Sequence, residues 1–277
     1  MEQGWVVEGR YGVERRLGAG GGAGAGREGV WQAVDTAAQR PVAIRFVVGT
    51  DAAQRFQDRV RVLSQPSPTI VTCHDSGTTA GPDGSPASFL VMERLEGHTL
   101  AAELADTVGN WAPRTAGTLV TDVLRGLEHL HAGGLAHGGV RPSNILLTDD
   151  LDRPVILLDA GLPGLPVPAA DDSFFAAPER PADARSDFYG AGRVLVAMLH
   201  HDDDGRLAPL PYLAVVQRLT ARDPAERPQD AAACIALLRD AMTDGSTLRP
   251  EMRPRTPGQL EALRRREEEQ QADSARQ

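Results

Sequence analysis

Apolar and polar residues alternate along four stretches of the first hundred positions and then change to a helical period. Tyr11 to Leu17, Val30 to Asp35 and Pro41 to Val48 read as three successive strands. Gly18 to Gly29 separates the first two, with glycine at 18, 20, 21, 22, 24, 26 and 29. Phe56, Val60 and Leu63 then recur at helical spacing within Arg55 to Leu63. Gly77 to Ser88, rich in Gly, Pro, Ser and Thr, predicts a loop, and Phe89 to Leu95 predicts a strand that stops at Glu96-Gly97. Residues 98 to 132 carry two helical stretches. The second, Thr115 to His131, sets Leu119, Val123, Leu127 and Leu130 on one face. His129 and His131 flank that stripe and read as ordinary helix-end residues. Further on, a polar loop ends at Asn144 and an apolar run, Ile145 to Leu147, follows it. Ser186 and Asp187 supply capping chemistry for a helix whose apolar face runs through Val194 and Met198.

Composition narrows the classes. A chain of 277 residues suffices for one large domain or two lobes sharing a cleft. Hydrophobic residues make up 41% but aromatics only 4%, so a core must lean on Leu, Val and Ala. A net charge of −9 argues against nucleic acid or an anionic membrane as the main partner. All 29 basic residues are arginine, so arginine stands wherever a lysine would otherwise serve. Cys73 and Cys234 match no disulfide or metal framework and read as reduced, in a cytoplasmic protein. No signal pattern opens the chain, and no apolar run approaches the length of a membrane span.

Two clusters carry chemistry. Asn144 and Asp159 fall at the ends of two adjacent short strands, where their oxygens can meet one hard cation such as Mg²⁺, with phosphates completing its shell. The glycine-rich turn between the first strands can lay backbone N–H groups over phosphates, although by itself such a turn is more often a linker.

Four motifs then occur in order: Val42-Ala43-Ile44-Arg45, His137-Gly138-Gly139-Val140-Arg141-Pro142-Ser143-Asn144, Asp159-Ala160-Gly161, and Ala177-Pro178-Glu179 with a distant Arg227-Pro228. Over residues 11 to 240 the chain resembles the serine/threonine protein kinase family in its bacterial, actinobacterial-like form. The resemblance implies an α+β, bilobal protein-kinase-like fold. A small β-rich N-lobe would span 1–95, a mainly helical C-lobe 96–243, and a charged, Pro-rich tail 244–277. It implies ATP and Mg²⁺ as weakly bound cofactors, with Asn144 and Asp159 as metal ligands. The implied nucleotide contacts are Gly18, Gly20, Val30, Ala43, Arg45, Glu93, Leu95 and Leu146. Ala43 would pack on adenine, the backbones of Glu93 and Leu95 would meet its edge, and Met92 would guard the back pocket. Asp187 would brace the catalytic loop, and Arg227 would form a buried ion pair with Glu179.

The departures from that family are as informative. Its catalytic Asp is here Gly139, a loss of roughly 10²–10⁴-fold for a general base. Arg45 replaces the phosphate-positioning lysine, which it matches in charge but not in shape. The glutamate expected to pair with it falls at Arg59, so two arginines would repel; Asp58 lies about 100° further round the helix. Gly138 removes an arginine, Ala160 replaces a phenylalanine, the glycine loop is expanded, and Ser173 is the only hydroxyl between Asp159 and Glu179. His200 to Leu210 is a short acidic loop where the family carries a longer substrate-docking region. The expected function is a pseudokinase that binds ATP–Mg²⁺ weakly and acts through protein partners. Two alternatives stand beside it. One is a weakly active serine/threonine kinase in which Arg141, or a water held by Asp159, partly replaces the base. The other is an ATP-dependent transferase acting on a small molecule.

Overall fold

The computed structural model describes residues 4–18, 29–81, 84–106, 111–160, 174–179, 183–199 and 210–244. Gly20, Ser173, most of the acidic loop and the tail beyond 244 lie outside them.

Strands β1 (Val6–Val7), β2 (Tyr11–Gly18), β3 (Gly29–Asp35), β4 (Arg40–Val48), β5 (Cys73–Ala80) and β6 (Pro86–Glu93) form one antiparallel sheet in the order β1-β2-β3-β4-β6-β5. The period of two divides this sheet between two cores. Val42, Ile44 and Phe46 of β4, with Phe89 and Val91 of β6, pack with Val7, Tyr11, Val13, Trp31 and Ala33. Ala43, Leu90 and Met92 face the other way and join the core that continues into the helical lobe. Arg45 shares the parity of Ala43, so strand alternation itself aims it at the space between the lobes.

The segment expected as a loop from Gly77 to Ser88 is mostly strand. Residues 73–80 form the edge strand β5, and β6 begins at Pro86 and ends at Glu93, short of Leu95. Gly77 makes this possible: a Cβ there would lie 2.9 Å from the Phe89 ring, so the glycine lets the ring cross the edge strand. Helix α1 (Ala53–Leu63) buries Phe56, Arg59 and Leu63 along one stripe. An arginine thus occupies the inward face of the helix, one position from the Val60 that the apolar pattern selects.

The helical lobe contains α2 (Leu100–Asp106), α3 (Pro113–Ala132), α4 (Ala184–Leu199), α5 (Leu210–Leu219) and α6 (Ala231–Asp244). A three-stranded sheet, β7 (His98–Thr99), β8 (Ile145–Leu147) and β9 (Val155–Leu157), lies against α3 in the order β7-β8-β9. The cap of α4 is Asp183 rather than Ser186 and Asp187. Its Oδ1 accepts from the backbone of Arg185 and Ser186 at 2.9 and 3.0 Å, and its own amide donates to Ser186 Oγ at 3.1 Å. That leaves the Asp187 carboxylate to point inward.

The lobes are stitched by backbone. Leu157 N donates to Thr69 O (2.9 Å) and Val71 N to Leu157 O (3.2 Å), so residues 69–71 run alongside β9. Glu93 N donates to Thr72 O at 2.9 Å, and the Glu93 carboxylate takes both Arg153 Nη atoms at 2.7 and 2.8 Å. Gly126 of α3 admits the same segment: a Cβ there would stand 3.1 Å from both Thr69 O and Ile70 Cγ1. No helix among the described residues is long and apolar enough to cross a membrane.

Candidate nucleotide site and catalytic loop

Three buried groups fix the loop from His137 to Asn144. The Asp187 carboxylate, with 1% of its side chain exposed, accepts from the amides of His137 and Gly138, each at 2.7 Å, and from His131 Nε2 at 2.8 Å. Gly138 sits at φ +72, a left-handed conformation that suits glycine. His137 Nε2–H donates to Leu158 O at 2.9 Å while its Nδ1 accepts from Gly139 N at 3.2 Å, which assigns the neutral tautomer. Burial pushes the imidazole below its ordinary pKa, consistent with that state. His131, read from sequence as an ordinary helix-end residue, is therefore a member of the brace; its ring also meets Phe188 edge-on at 5.4 Å. The available signal was its place six positions ahead of His137, at the end of the apolar stripe.

The pairing of β8 with β9 sets Asn144 beside Leu158, the residue before Asp159. Ile145 pairs with Leu157, and Leu158 N donates to Asn144 O at 2.8 Å. Asn144 Nδ2 donates back to Gly139 O at 2.8 Å, and its amide N to Arg141 O at 3.0 Å. Gly139 therefore presents only backbone at the position where a base would stand. The site has room for a side chain: a Cβ would find Asn144 Nδ2 at 3.5 Å and His137 Nδ1 at 3.9 Å, both ordinary contacts.

The cation pattern differs from the expected mutual repulsion of Arg45 and Arg59. Arg45 Nη2 pairs with Asp159 Oδ2, with 10% of the arginine side chain and 20% of the aspartate exposed. Arg59 Nε donates to Ala160 O at 2.8 Å and its Nη1 to Arg55 O at 3.0 Å. The two guanidiniums divide a dipeptide between them, one on the side chain of Asp159 and one on the carbonyl of the next residue. Burial lowers the Arg59 pKa, and among the described residues its hydrogen bonds go to carbonyl oxygens rather than to a carboxylate. Arg45 Nε is buried with no hydrogen-bond partner among the described residues. Asp159 holds a left-handed backbone, φ +56, which aspartate adopts more readily than most residues.

With Arg45 paired to Asp159, this donor set does not fit a magnesium ion. Mg²⁺ takes oxygen ligands in near-octahedral array and is ordinarily held through one or two carboxylates beside the substrate phosphates. Here the one carboxylate, Asp159, already bears a guanidinium, and the Asn144 amide offers a single neutral oxygen. Among the described residues no group of three or more His, Cys, Asp or Glu side chains is placed to hold a metal.

The other sequence-selected residues surround the cleft. Val30 lies opposite both Gly18 and Arg45 in the sheet. Ala43, Met92 and Leu146 are buried in the shared core, with Val30 and Leu95 packed against it. The Glu93 backbone N–H is taken by Thr72 O, and Leu95 O accepts from Arg94 Nη1. Although burial favours its neutral form, Arg153 and the Thr72 amide hold the Glu93 carboxyl below its usual range. Arg153 carried no sequence signal.

Outside the cleft, Arg227 grips Glu179 through Nη1–Oε1 at 2.5 Å and Nη2–Oε2 at 2.9 Å, and Ser186 Oγ donates to Oε1 at 2.7 Å. The Arg227 guanidinium holds the Glu179 carboxyl down to about 2. Cys73 and Cys234 are free and buried, and burial pushes both thiols up to about 12.

Residues 11–203 match the family model described as the protein kinase domain. The serine/threonine-protein kinase PknL of Mycobacterium tuberculosis is 30% identical over 294 aligned positions, covering 91% of this chain and 70% of PknL. A probable serine/threonine-protein kinase of Corynebacterium efficiens is 30% identical over 220 residues. That match covers 70% of this chain but only 31% of the relative, so the chain spans about a third of its length. Among solved structures, the PknI kinase domain of Mycobacterium tuberculosis superposes with a TM-score of 0.67 at 22% identity, covering 87% of this chain and 99% of that one.

Proposed function

The chain belongs to the protein kinase family, and from that premise we propose that it is a pseudokinase, a nucleotide-binding member of the fold that acts through protein partners. The observation that carries this reading is Gly139. Phosphoryl transfer to a hydroxyl needs a residue to orient the nucleophile. The loop that would present it is held by Asp187, His137 and Asn144, and ends at a backbone with no functional group. Arg59, in place of a carboxylate partner for Arg45, supports the same conclusion. Ala43, Met92 and Leu146 keep an apolar wall for a base, which supports retained nucleotide binding.

The test is purified protein with radiolabelled ATP, with and without Mg²⁺, assayed for phosphate incorporation, alongside thermal melts with nucleotide. A nucleotide-dependent rise in melting temperature without incorporation is expected. Autophosphorylation that disappears in Asp159→Asn would sink the reading.

A second reading, a weakly active serine/threonine kinase, is favoured by the intact large-lobe frame. Both the Asp187 brace and the Glu179–Arg227 ion pair are formed; the first holds the backbone of the loop at His137 and Gly138, and the second anchors Glu179 to the helical lobe.

A further inference from the structure

We infer that the cleft takes a nucleoside polyphosphate free of divalent metal, with Arg45 leaving Asp159 to hold the phosphates in place of the metal. This rests on the proposal that the cleft binds nucleotide, and concerns how it does so.

Charge carries the argument. Two arginines, Arg45 and Arg59, are buried at the junction of the lobes; among the described residues Asp159 is the carboxylate bonded to Arg45, while Arg59 bonds the carbonyls of Ala160 and Arg55 and feels Asp58 only through space. Exchanging a lysine for an arginine in a lysine-free chain leaves this balance untouched. The balance is tilted by two further positions: residue 59 is a cation where phosphoryl-transfer sites of this fold place an anion, and residue 139 has no side chain. A magnesium ion drawn to Asp159 would meet the guanidinium already there, and a second at Ala160, in a site of reduced dielectric where such repulsion is poorly screened. A triphosphate without its metal carries about four negative charges and meets the opposite situation.

Geometry agrees. Among the described residues Arg45 Nε is buried without a partner, while the same side chain spends one Nη on Asp159. A guanidinium offers five N–H donors in a fork suited to phosphate oxygens. Moving from one carboxylate oxygen to a polyphosphate would satisfy donors that the present arrangement leaves idle. Asp159 keeps enough exposure for its carboxylate to turn to water when the arginine departs, while Arg45 on the phosphates and Arg59 on Ala160 O still set two cations beside the place a metal would take.

The experiment is isothermal titration of the full chain with ATP, in EDTA and in excess Mg²⁺, for the natural protein, Asp159→Asn and Arg45→Met. ATP is expected to bind in EDTA at least as tightly as with Mg²⁺. Asp159→Asn, which loosens the competitor for Arg45, is expected to tighten metal-free binding by about tenfold. Arg45→Met is expected to weaken it by at least as much; should that variant fail to fold, the Asp159→Asn titration decides alone. Binding that requires Mg²⁺ and is abolished in Asp159→Asn overturns this inference and leaves the nucleotide-binding reading standing. Absence of binding in both conditions overturns both.

Discussion

The guanidinium of Arg45 and the carboxylate of Asp159 form an ion pair across 114 positions of chain, joining β4 of the sheet lobe to the residues that follow β9 in the helical lobe. The contact ties the two lobes together. With Arg59 on the inward stripe of α1, Asp159 is the carboxylate that meets Arg45.

Breaking that pair from one side should cost more than removing it whole. Loss of one member of a buried ion pair typically costs about 3–5 kcal/mol because a charge is left unpaired, and the partial exposure of Asp159 places the cost here at about 2–3 kcal/mol. Arg45→Met and Asp159→Ala are each expected to lower the urea midpoint accordingly. The double variant is expected to recover most of the loss, since no unpaired charge remains. Strictly additive losses would show that the two groups do not act as a pair.

Two glycines near the catalytic loop should respond in opposite ways. Gly139→Asp meets no atom closer than ordinary contact and needs no left-handed backbone, so stability should change by less than about 1 kcal/mol. Phosphate transfer should stay undetectable, because Arg59 and the occupied Asp159 remain. Gly190→Ala places a Cβ 2.7 Å from Val140 O, backbone that cannot step aside, and should cost about 1–3 kcal/mol. Thermal melts of both variants, with a radiolabel assay on the first, check the pair; full turnover in Gly139→Asp would show that the missing side chain was the only defect.

His137 should stay neutral well below the pH at which a free imidazole protonates. Its Nδ1 accepts from Gly139 N and its Nε2–H donates to Leu158 O, so a proton on Nδ1 would break the first bond and charge a fully buried ring. The folded pKa lies below the ordinary 6.5, so as pH falls the unfolded chain binds the proton first. Stability is therefore full above about pH 6.5 and declines below it. Nitrogen-15 spectra of labelled histidine should show His137 as the Nε2–H tautomer at pH 6; a protonated His137 signal there would refute the assignment.

A second acid limb should come from Glu179. Its carboxyl titrates near 2 rather than 4.5 because Arg227 and Ser186 bond its charged form. A depressed folded pKa gives stability that is fully present above the unfolded value and is lost as pH falls from about 4.5 toward 2. Asp35, held down to about 2 by Arg10 and the amides of Ala37 and Ala38, adds to the same window. Arg227→Met should lower stability at pH 7 and flatten the decline below pH 4.5, measured by denaturant melts across that range. An unchanged slope would mean that Glu179 is not coupled to Arg227.

How much of this was legible in the chain depends on sequence distance and parity. The strands around Ala43 and Arg45, the stripe of α3 and the loop from His137 to Asn144 follow from local periodicity, and residues spaced along one element have their faces set by geometry. The partners of Arg45 and Arg59 do not. Motif spacing set both as mutually repelling, and only the packed lobes show Asp159 and the Ala160 carbonyl within reach. Edge strand β5 escaped because its Gly, Ser and Thr composition signals a turn, whereas Gly77 is there to admit the Phe89 ring. Arg153 sits in a short turn, and its grip on Glu93 spans 60 positions, which no local pattern encodes.

Restoring a carboxylate at position 59 should reverse the cleft's preference for ligand charge. In Arg59→Glu, the inward stripe of α1 would place an anion where a guanidinium now bonds Ala160 O, near the strand that carries Arg45. Arg45 would then have two carboxylates within the junction, and any time spent on the introduced glutamate leaves Asp159 open to a cation. The junction's charge would fall by two, removing the repulsion that a divalent ion now meets. Mg²⁺ is accordingly expected to strengthen ATP binding in this variant, by about tenfold or more relative to EDTA, while leaving the natural protein's affinity level or reduced. The comparison needs only paired titrations of the two proteins, with circular dichroism confirming that the variant keeps its helical content. Should Arg59→Glu fold and bind ATP yet remain indifferent to Mg²⁺, the charge at position 59 would not be what excludes the metal, and the cause would have to lie in the geometry of Asn144 and Asp159 themselves.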